Sequence, residues 1–413
     1  MKQTNLIKKN IILLLLGRTT SLFGASIYLI ALPLYILKLK NNLALSGMFF
    51  ALSNIPSVIL SPLLGPIIER ANRKKCIVVC DLCTSLIHLL LFILCINSKI
   101  SIIVLLIASM LINVIASIFD ISSKVLFTEV TDATTITKYN GIKSFFDNAT
   151  ALIAPIVGTL LFGIFGFNMI LITIAICYFL SALQEIFITY NGNVDSVEDS
   201  SASFVSQLVD GIHFILEKKA ILKMFILVMT LNFFVANNDE IINPGILIQK
   251  YKISERLYGI TSSFLVVGTL IASLYIFKGK KLDIKKYIKV FFITNSFLMI
   301  SIGTVSLIMN AKHSNEFFVY FTIIQVLIGF VTTCINVTLG SYFQISIPVN
   351  YQARFFSLLS FSSNLLIPLG IAYTGCFSSH LAPDITYIIN NTCVIIITAV
   401  LLKNNPLNQL DNQ

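Results

Sequence analysis

Charged side chains set inside long apolar runs are the residues of this chain best placed to do chemistry. Arg18 lies about seven residues into the first such run, roughly 10 Å deep at about 1.5 Å per helical residue. Asp120 and Asp147 stand near the inner ends of the fourth and fifth runs, and Asp239 and Glu240 fall in the seventh. An ionised group in hydrocarbon is costly, so it pairs, takes up or gives away a proton, or lines a wet path. The placement suggests an ion pair between Arg18 and Asp120 or Asp147, and a proton-carrying carboxylate at Asp239 or Glu240. Bland readings stand beside these: a structural ion pair, or Arg18 snorkelling to the interface. If the seventh helix stops near Ala236, ahead of Asn243-Pro244-Gly245, then Asp239 and Glu240 are loop residues.

The elements that must position these groups are membrane helices. Over 413 residues, 56% are hydrophobic and 12% charged, with a mean hydropathy of +0.88, a composition that an ordinary soluble surface excludes. Crossing a hydrocarbon core of about 30 Å takes about 20 apolar residues. Such runs fall near 11–37, 44–66, 76–96, 100–121, 143–164, 167–189, 222–248, 257–277, 287–309, 317–343, 354–375 and 384–402. The expected fold is therefore all-α and integral to the membrane, with twelve transmembrane helices in two six-helix bundles; eleven stays open, because only Gly163 to Gly166 separates runs five and six. The first run has no small-residue cleavage site and reads as a retained helix.

Basic residues test the count, since cytoplasmic loops hold the excess. With a cytoplasmic amino terminus, most of the 29 lysines and arginines fall on that side, leaving Lys38, Lys40, Lys99, Lys250, Lys252, Arg256 and Lys312 on the other. Both termini are thus expected in the cytoplasm. The net charge of +10 is spread over many loops facing one leaflet, which suits anionic lipid head groups rather than nucleic acid. The eight cysteines lie in or at the ends of predicted helices and offer no matched pair at zinc spacing, so no metal site is expected. His88 reads as a buried hydrogen-bonding residue and Asp81 as a first-turn residue of the third helix.

One long polar segment around Asn-Gly-Asn-Val-Asp-Ser divides the chain into bundles over 1–190 and 221–413, joined by a cytoplasmic linker over 191–220. A weak internal repeat supports the division: Ser144 to Pro155 and Ser357 to Pro368 share their length and an internal asparagine, Asn148 or Asn364. Repeated halves of this kind place a substrate site between them near the midplane. Gln325 and Asn336 are polar positions of the tenth run, and Tyr28, Tyr35, Phe119, Phe233 and Phe234 are candidates for a greasy binding surface.

Between the second and third runs lies Gly65-Pro-Ile-Ile-Glu69-Arg70-Ala-Asn72-Arg73-Lys74-Lys75. Gly65 and Pro66 are expected to end the second helix. Glu69 should open the third, where a carboxylate suits the positive dipole end and can pair with Arg70 or Arg73. A plain positive-inside loop would also explain the composition.

This hairpin resembles the Gly-x-Leu-Ala-Asp-Arg-x-Gly-Arg-Lys-Lys loop of the major facilitator superfamily, with Gly65, Arg70, Arg73, Lys74 and Lys75 matching directly. Glu69 replaces the Asp. Asn72 replaces the second Gly, a mild change because Asn tolerates the left-handed conformation. The resemblance implies a latch that holds the cytoplasmic side closed in one transport state, and a pathway lined by helices one, four, seven and ten, with Tyr28, Gln325 and Asn336 as candidate lining residues. Thr150-x-x-x-Ala154-Pro155-Ile-Val-Gly158-Thr159 is similar to the antiporter signature of helix five, although small residues and a proline also serve plain helix packing. Gln352-Ala-Arg354-Phe-Phe-Ser-Leu and Ile367-Pro368-Leu-Gly370 resemble elements of the macrolide-efflux branch.

The resemblance implies a monomeric secondary exporter in a bacterial cytoplasmic membrane, moving an amphipathic, macrolide-like small molecule outwards by alternating access. It would need no cofactor beyond the proton gradient, and no nucleotide-binding motif is present. The abundance of Ile, Lys and Asn fits an AT-rich bacterial genome. Export of a siderophore or peptide, nutrient uptake, and a transport-inactive sensor on the same scaffold are the competing readings; nothing in the sequence favours an enzyme.

Overall fold

The computed structural model describes residues 2–40, 43–97, 100–190, 204–236, 238–278 and 284–403. The first four helices are α1 (Lys2–Lys40), α2 (Leu43–Arg70), α3 (Arg73–Ile96) and α4 (Ile102–Glu129). They are followed by α5 (Ile136–Ile186), α6 (Phe204–Glu217) and α7 (Lys219–Phe234). After two π-helical stretches, Asn238–Ile242 and Gly245–Lys250, come α8 (Glu255–Phe277), α9 (Ile284–Ile308), α10 (Ser314–Ser346), α11 (Val349–His380) and α12 (Pro383–Leu401). No strand occurs among the described residues.

Among the described residues, ten stretches are long and apolar enough to cross a membrane. The 51-residue α5 turns at Gly166, whose φ of 74° lies in the left-handed region that glycine adopts at no steric cost. Its two limbs supply two crossings, so the short Gly163 to Gly166 stretch is a real boundary. The remaining crossing is α7 with its π-helical continuation. α7 breaks after Phe234, and the π-helical hydrogen bonding beyond it widens the turn, as happens where a helix must depart from regular geometry. Among the described residues the chain is all-α, and these stretches make twelve crossings. Many of the large apolar side chains left exposed, such as Ile164, Ile308 and Val400, then meet lipid tails.

The fold forms two compact units. The first holds residues 1–136, 149–212 and 347–361; the second holds 137–148, 213–346 and 362–413. Each unit therefore takes in one short segment from the other half of the sequence, and the 1–190 and 221–413 halves are not themselves the packing units. The linker is not wholly irregular either: residues 191–203 lie outside the description, but Phe204–Glu217 is a strongly amphipathic helix.

Within the first unit, Ile27, Ala31 and Leu32 of α1 pack with Leu105 and Ile112 of α4 and with Ile170, Leu171 and Ile174 of α5. In the second unit, α8 and α10 meet backbone to backbone. A Cβ built on Gly268 would stand 2.0 Å from the Val326 carbonyl oxygen, and one on Gly329 would stand 2.1 Å from that of Leu265. Small residues at such crossings let the helices approach closely enough for dispersion contacts to hold them, since lipid supplies no hydrophobic drive between helices.

Candidate functional site

The charged hairpin is built differently from its sequence-based expectation. α2 runs unbroken through Gly65 and Pro66 to Arg70, so these two residues do not end the helix. The helix tolerates Pro66 near its final turns. Gly65 is needed for another reason: a Cβ there would lie 2.6 Å from Arg354 Cα and 2.6 Å from Ser357 Oγ. The missing side chain lets the end of α2 press against the start of α11, all within the first unit.

Glu69 consequently sits in the last turn of α2 rather than at the start of α3, and it pairs with neither Arg70 nor Arg73. Its carboxylate takes the Arg354 guanidinium Nε, and the Arg354 backbone N donates to the other oxygen at 3.3 Å. Arg354 also donates through Nη1 to the Gln207 carbonyl at 3.4 Å and lies 4.8 Å from the centre of the Tyr351 ring. Both partners are largely buried, with 5% of Glu69 and 14% of Arg354 exposed. A pair so dry is strongly destabilised if one charge is removed, because the other is left uncompensated.

Asn72 does not adopt the left-handed conformation. Its φ of −73° and ψ of 110° are extended, and its side chain accepts the Lys75 backbone N–H at 3.0 Å, capping α3. Lys74 lies in the first turn beside it. Arg73 turns back to Glu129 at the end of α4, at 3.7 Å, and the Tyr190 hydroxyl donates to the same carboxylate at 2.5 Å. Burial and the bond to Glu129 push the Tyr190 phenol well above its ordinary range.

Deeper in the first unit, a cavity of about 160 Å³ is lined by residues that include Arg18, Asp81, Thr84, Phe119, Asp120 and Tyr178. Arg18 Nη1 is 3.7 Å from Asp120, whose other oxygen receives Lys124 at 2.6 Å. Asp147 is not part of this group; it pairs with Lys143 at 3.6 Å in the second unit. Asp81 is in the third turn of α3, not the first, and is 2% exposed. Glu185, near the end of α5, is fully buried. Glu185 does not stand out in the sequence, because Gln184-Glu185 sits beside a polar boundary and looks interfacial. The one available signal was its place in the helix, on the same face as Ser181.

The other candidates scatter. Tyr28 donates to or accepts from Ser109 at 3.1 Å, and its ring meets His88 edge-on at 4.9 Å. His88 is buried against Tyr178 and contacts the Thr84 carbonyl through Nδ1 at 2.8 Å. Ala154 is fully buried, next to Pro155, and the open Cα of Gly158 faces Ile27 of α1 at helix-packing distance, a Cβ there lying 3.5 Å away. In the second unit Gln325 is buried and Asn336 exposed. Phe233 and Phe234 cluster with Tyr373 of α11. Asp239 and Glu240 fall in the first π-helical stretch, with their side chains outside the described residues.

Long apolar helices around buried ion pairs, with a mostly apolar cavity that carries Arg18, Asp81 and Asp120, define a polytopic membrane protein. The chain belongs to the Major Facilitator Superfamily, whose profile matches residues 14–371. It is 20% identical to Macrolide efflux protein A of Streptococcus pyogenes over 395 residues, covering 96% of each chain. Its fold is similar to that of a bacterial homologue of the iron transporter ferroportin in an outward-facing state, with a TM-score of 0.79, 16% identity and coverage of 95% and 98%. It is also similar to the human organic anion transporter MFSD10 (TETRAN), with a TM-score of 0.77, 10% identity and coverage of 96% and 99%.

Proposed function

We propose that this transporter is a proton-coupled exporter of amphipathic, macrolide-like small molecules, working by alternating access. The observation that carries the reading is the Glu69 to Arg354 pair. It ties a carboxylate at the family's loop to the first turns of α11, a helix from the other half of the sequence. A bond between these segments is what a transport cycle would make in one state and break in the next. Full-length similarity to a macrolide efflux protein supports the substrate class and the outward direction.

In this reading the protein acts as a monomer in a bacterial cytoplasmic membrane, with both termini in the cytoplasm and its basic loops against anionic head groups. The proton gradient is its energy source. Cells with and without the gene, loaded with labelled erythromycin, test the function directly. Expression should lower steady-state accumulation several-fold, and a protonophore should restore it; equal accumulation in both strains would overturn the macrolide assignment.

A further inference from the structure

We propose that α6 is an interfacial helix, docking the ridge formed by Val209, Ile212 and Leu216 on the anionic lipid of one leaflet and bracing Arg354 from there. That leaflet is the cytoplasmic one in the orientation proposed above, and the bracing rests on the role given there to the Glu69 to Arg354 pair.

The helix presents three ridges. Gln207, Gly211 and Ile215, spaced by four, are buried. Val209, Ile212 and Leu216, spaced by three and four, are 43%, 41% and 54% exposed. Ser206, Asp210, His213 and Glu217 form an exposed polar ridge at matching spacing. With about 100° between successive residues, the three ridges point roughly 100–130° apart. A helix on a wholly aqueous surface needs only two faces, one buried and one polar. A third face, apolar and uncovered, suits a helix at the boundary where protein, lipid and water meet.

Length and connection place α6 at that boundary. Its 14 residues span about 21 Å at about 1.5 Å per residue, short of the roughly 30 Å hydrocarbon core. Only Lys218 separates it from α7, which begins a crossing. Lys218 has φ −85° and ψ 84°, outside the helical region, so the chain changes direction there and α6 does not prolong the crossing. The apolar ridge therefore ends where the chain enters the membrane.

Charge selects the kind of lipid. Lys218, Lys219 and Lys223 follow directly after the ridge, and basic residues at a membrane surface are drawn to anionic head groups. The acidic residues of the helix, Asp210 and Glu217, belong to the polar ridge, turned roughly 100° away from the apolar one. Apolar insertion and attraction to anionic lipid add in a helix of this kind.

The buried ridge bears on Arg354. Within the first unit, the Gln207 carbonyl accepts Arg354 Nη1 at 3.4 Å, and a Cβ on Gly211 would lie 3.1 Å from Arg354 Cβ and 3.4 Å from its Cδ. α6 thus backs the stem and one nitrogen of the side chain whose Nε Glu69 receives. Docking on lipid keeps that backing in place.

The chain contains no tryptophan, so a single substitution supplies the sole reporter for a test. Full-length Ile212→Trp and Leu216→Trp, in vesicles of phosphatidylcholine and phosphatidylglycerol with brominated acyl chains, should lose fluorescence at least about twofold relative to unbrominated vesicles. Asp210→Trp and His213→Trp should lose little, and Val209→Trp replaces a ridge variant that fails to fold. Ridge tryptophans left unquenched, or quenching equal on the two ridges, would overturn the docking; unquenched but blue-shifted emission would mean that protein, such as a second copy, covers the ridge. Quenching undiminished in vesicles lacking phosphatidylglycerol would overturn the assignment to anionic lipid. For the bracing, modification of Arg354 by phenylglyoxal, read by mass spectrometry, should quicken at least about threefold when Ile212→Asp and Leu216→Asp are combined, and an unchanged rate would overturn it. Neither readout uses a cargo, so wild-type vesicles that move no erythromycin would defeat the macrolide reading alone.

Discussion

Glu69 in the last turn of α2 receives both the guanidinium Nε and the backbone N of Arg354 in the early turns of α11, across 285 residues of sequence. One carboxylate thus holds a side chain and a main-chain segment together. A neutral side chain could keep the shape of this contact but not its charge.

Glu69→Gln should therefore impair transport far more than insertion. The substitution leaves Arg354 mostly buried without its counterion, and a loss of about 1.4 kcal/mol in one transport state already changes its population tenfold. Flux of labelled erythromycin should fall at least about tenfold while the amount of protein in the membrane fraction stays close to wild type. Wild-type flux in Glu69→Gln would show that the contact has no part in the cycle.

Gly65→Ala should be costly for a steric reason. The added Cβ would lie 2.6 Å from a backbone atom of Arg354, which cannot swing aside as a flexible side chain can. Overpacking of this kind costs about 1–3 kcal/mol, so the melting temperature of the detergent-solubilised protein should drop. An unchanged melting curve would place α11 farther from α2 than described.

Asn72→Gly should be nearly silent and Asn72→Ala should not. Asn72 caps α3 through the Lys75 N–H. Replacing such a cap by alanine costs about 1 kcal/mol and by glycine only a few tenths. Comparing the two melting temperatures checks this. Equal stability of the two variants would argue for a conformational rather than a capping role.

The second unit has its own sensitive contact. Gly329→Ala places a Cβ 2.1 Å from the Leu265 carbonyl oxygen, so α8 and α10 must separate to admit it. Stability should fall more than with Gly163→Ala, where a Cβ meets nothing within 4 Å. Parallel thermal unfolding of the two variants provides the comparison.

Much of the fold is legible in the sequence because membrane helices declare themselves by length and hydropathy, and basic loops by their spacing. The turn near Gly166 shows in the same way. Gly65-Pro66 misleads, since these residues end helices in water, yet here the helix continues and the glycine serves a neighbour that sequence order does not reveal. Glu69 and Arg354 both stand out as motif residues, but their pairing depends on tertiary packing. Glu185 and Ser181 share a helical face, while their burial against Gly17 appears only once α1 is in place. Arg18 and Asp120 were the exception, since charges at matching depths in apolar helices have few partners to choose from.

The central claim, proton-driven export through this chain, is most directly tested in inside-out proteoliposomes containing the purified protein and an imposed pH gradient, acidic inside. Wild type should accumulate labelled erythromycin against its concentration gradient, with accumulation collapsing when a protonophore dissipates the gradient and falling at least about tenfold in Glu69→Gln. Accumulation indifferent to the pH gradient, or no greater than in protein-free liposomes, would contradict the account.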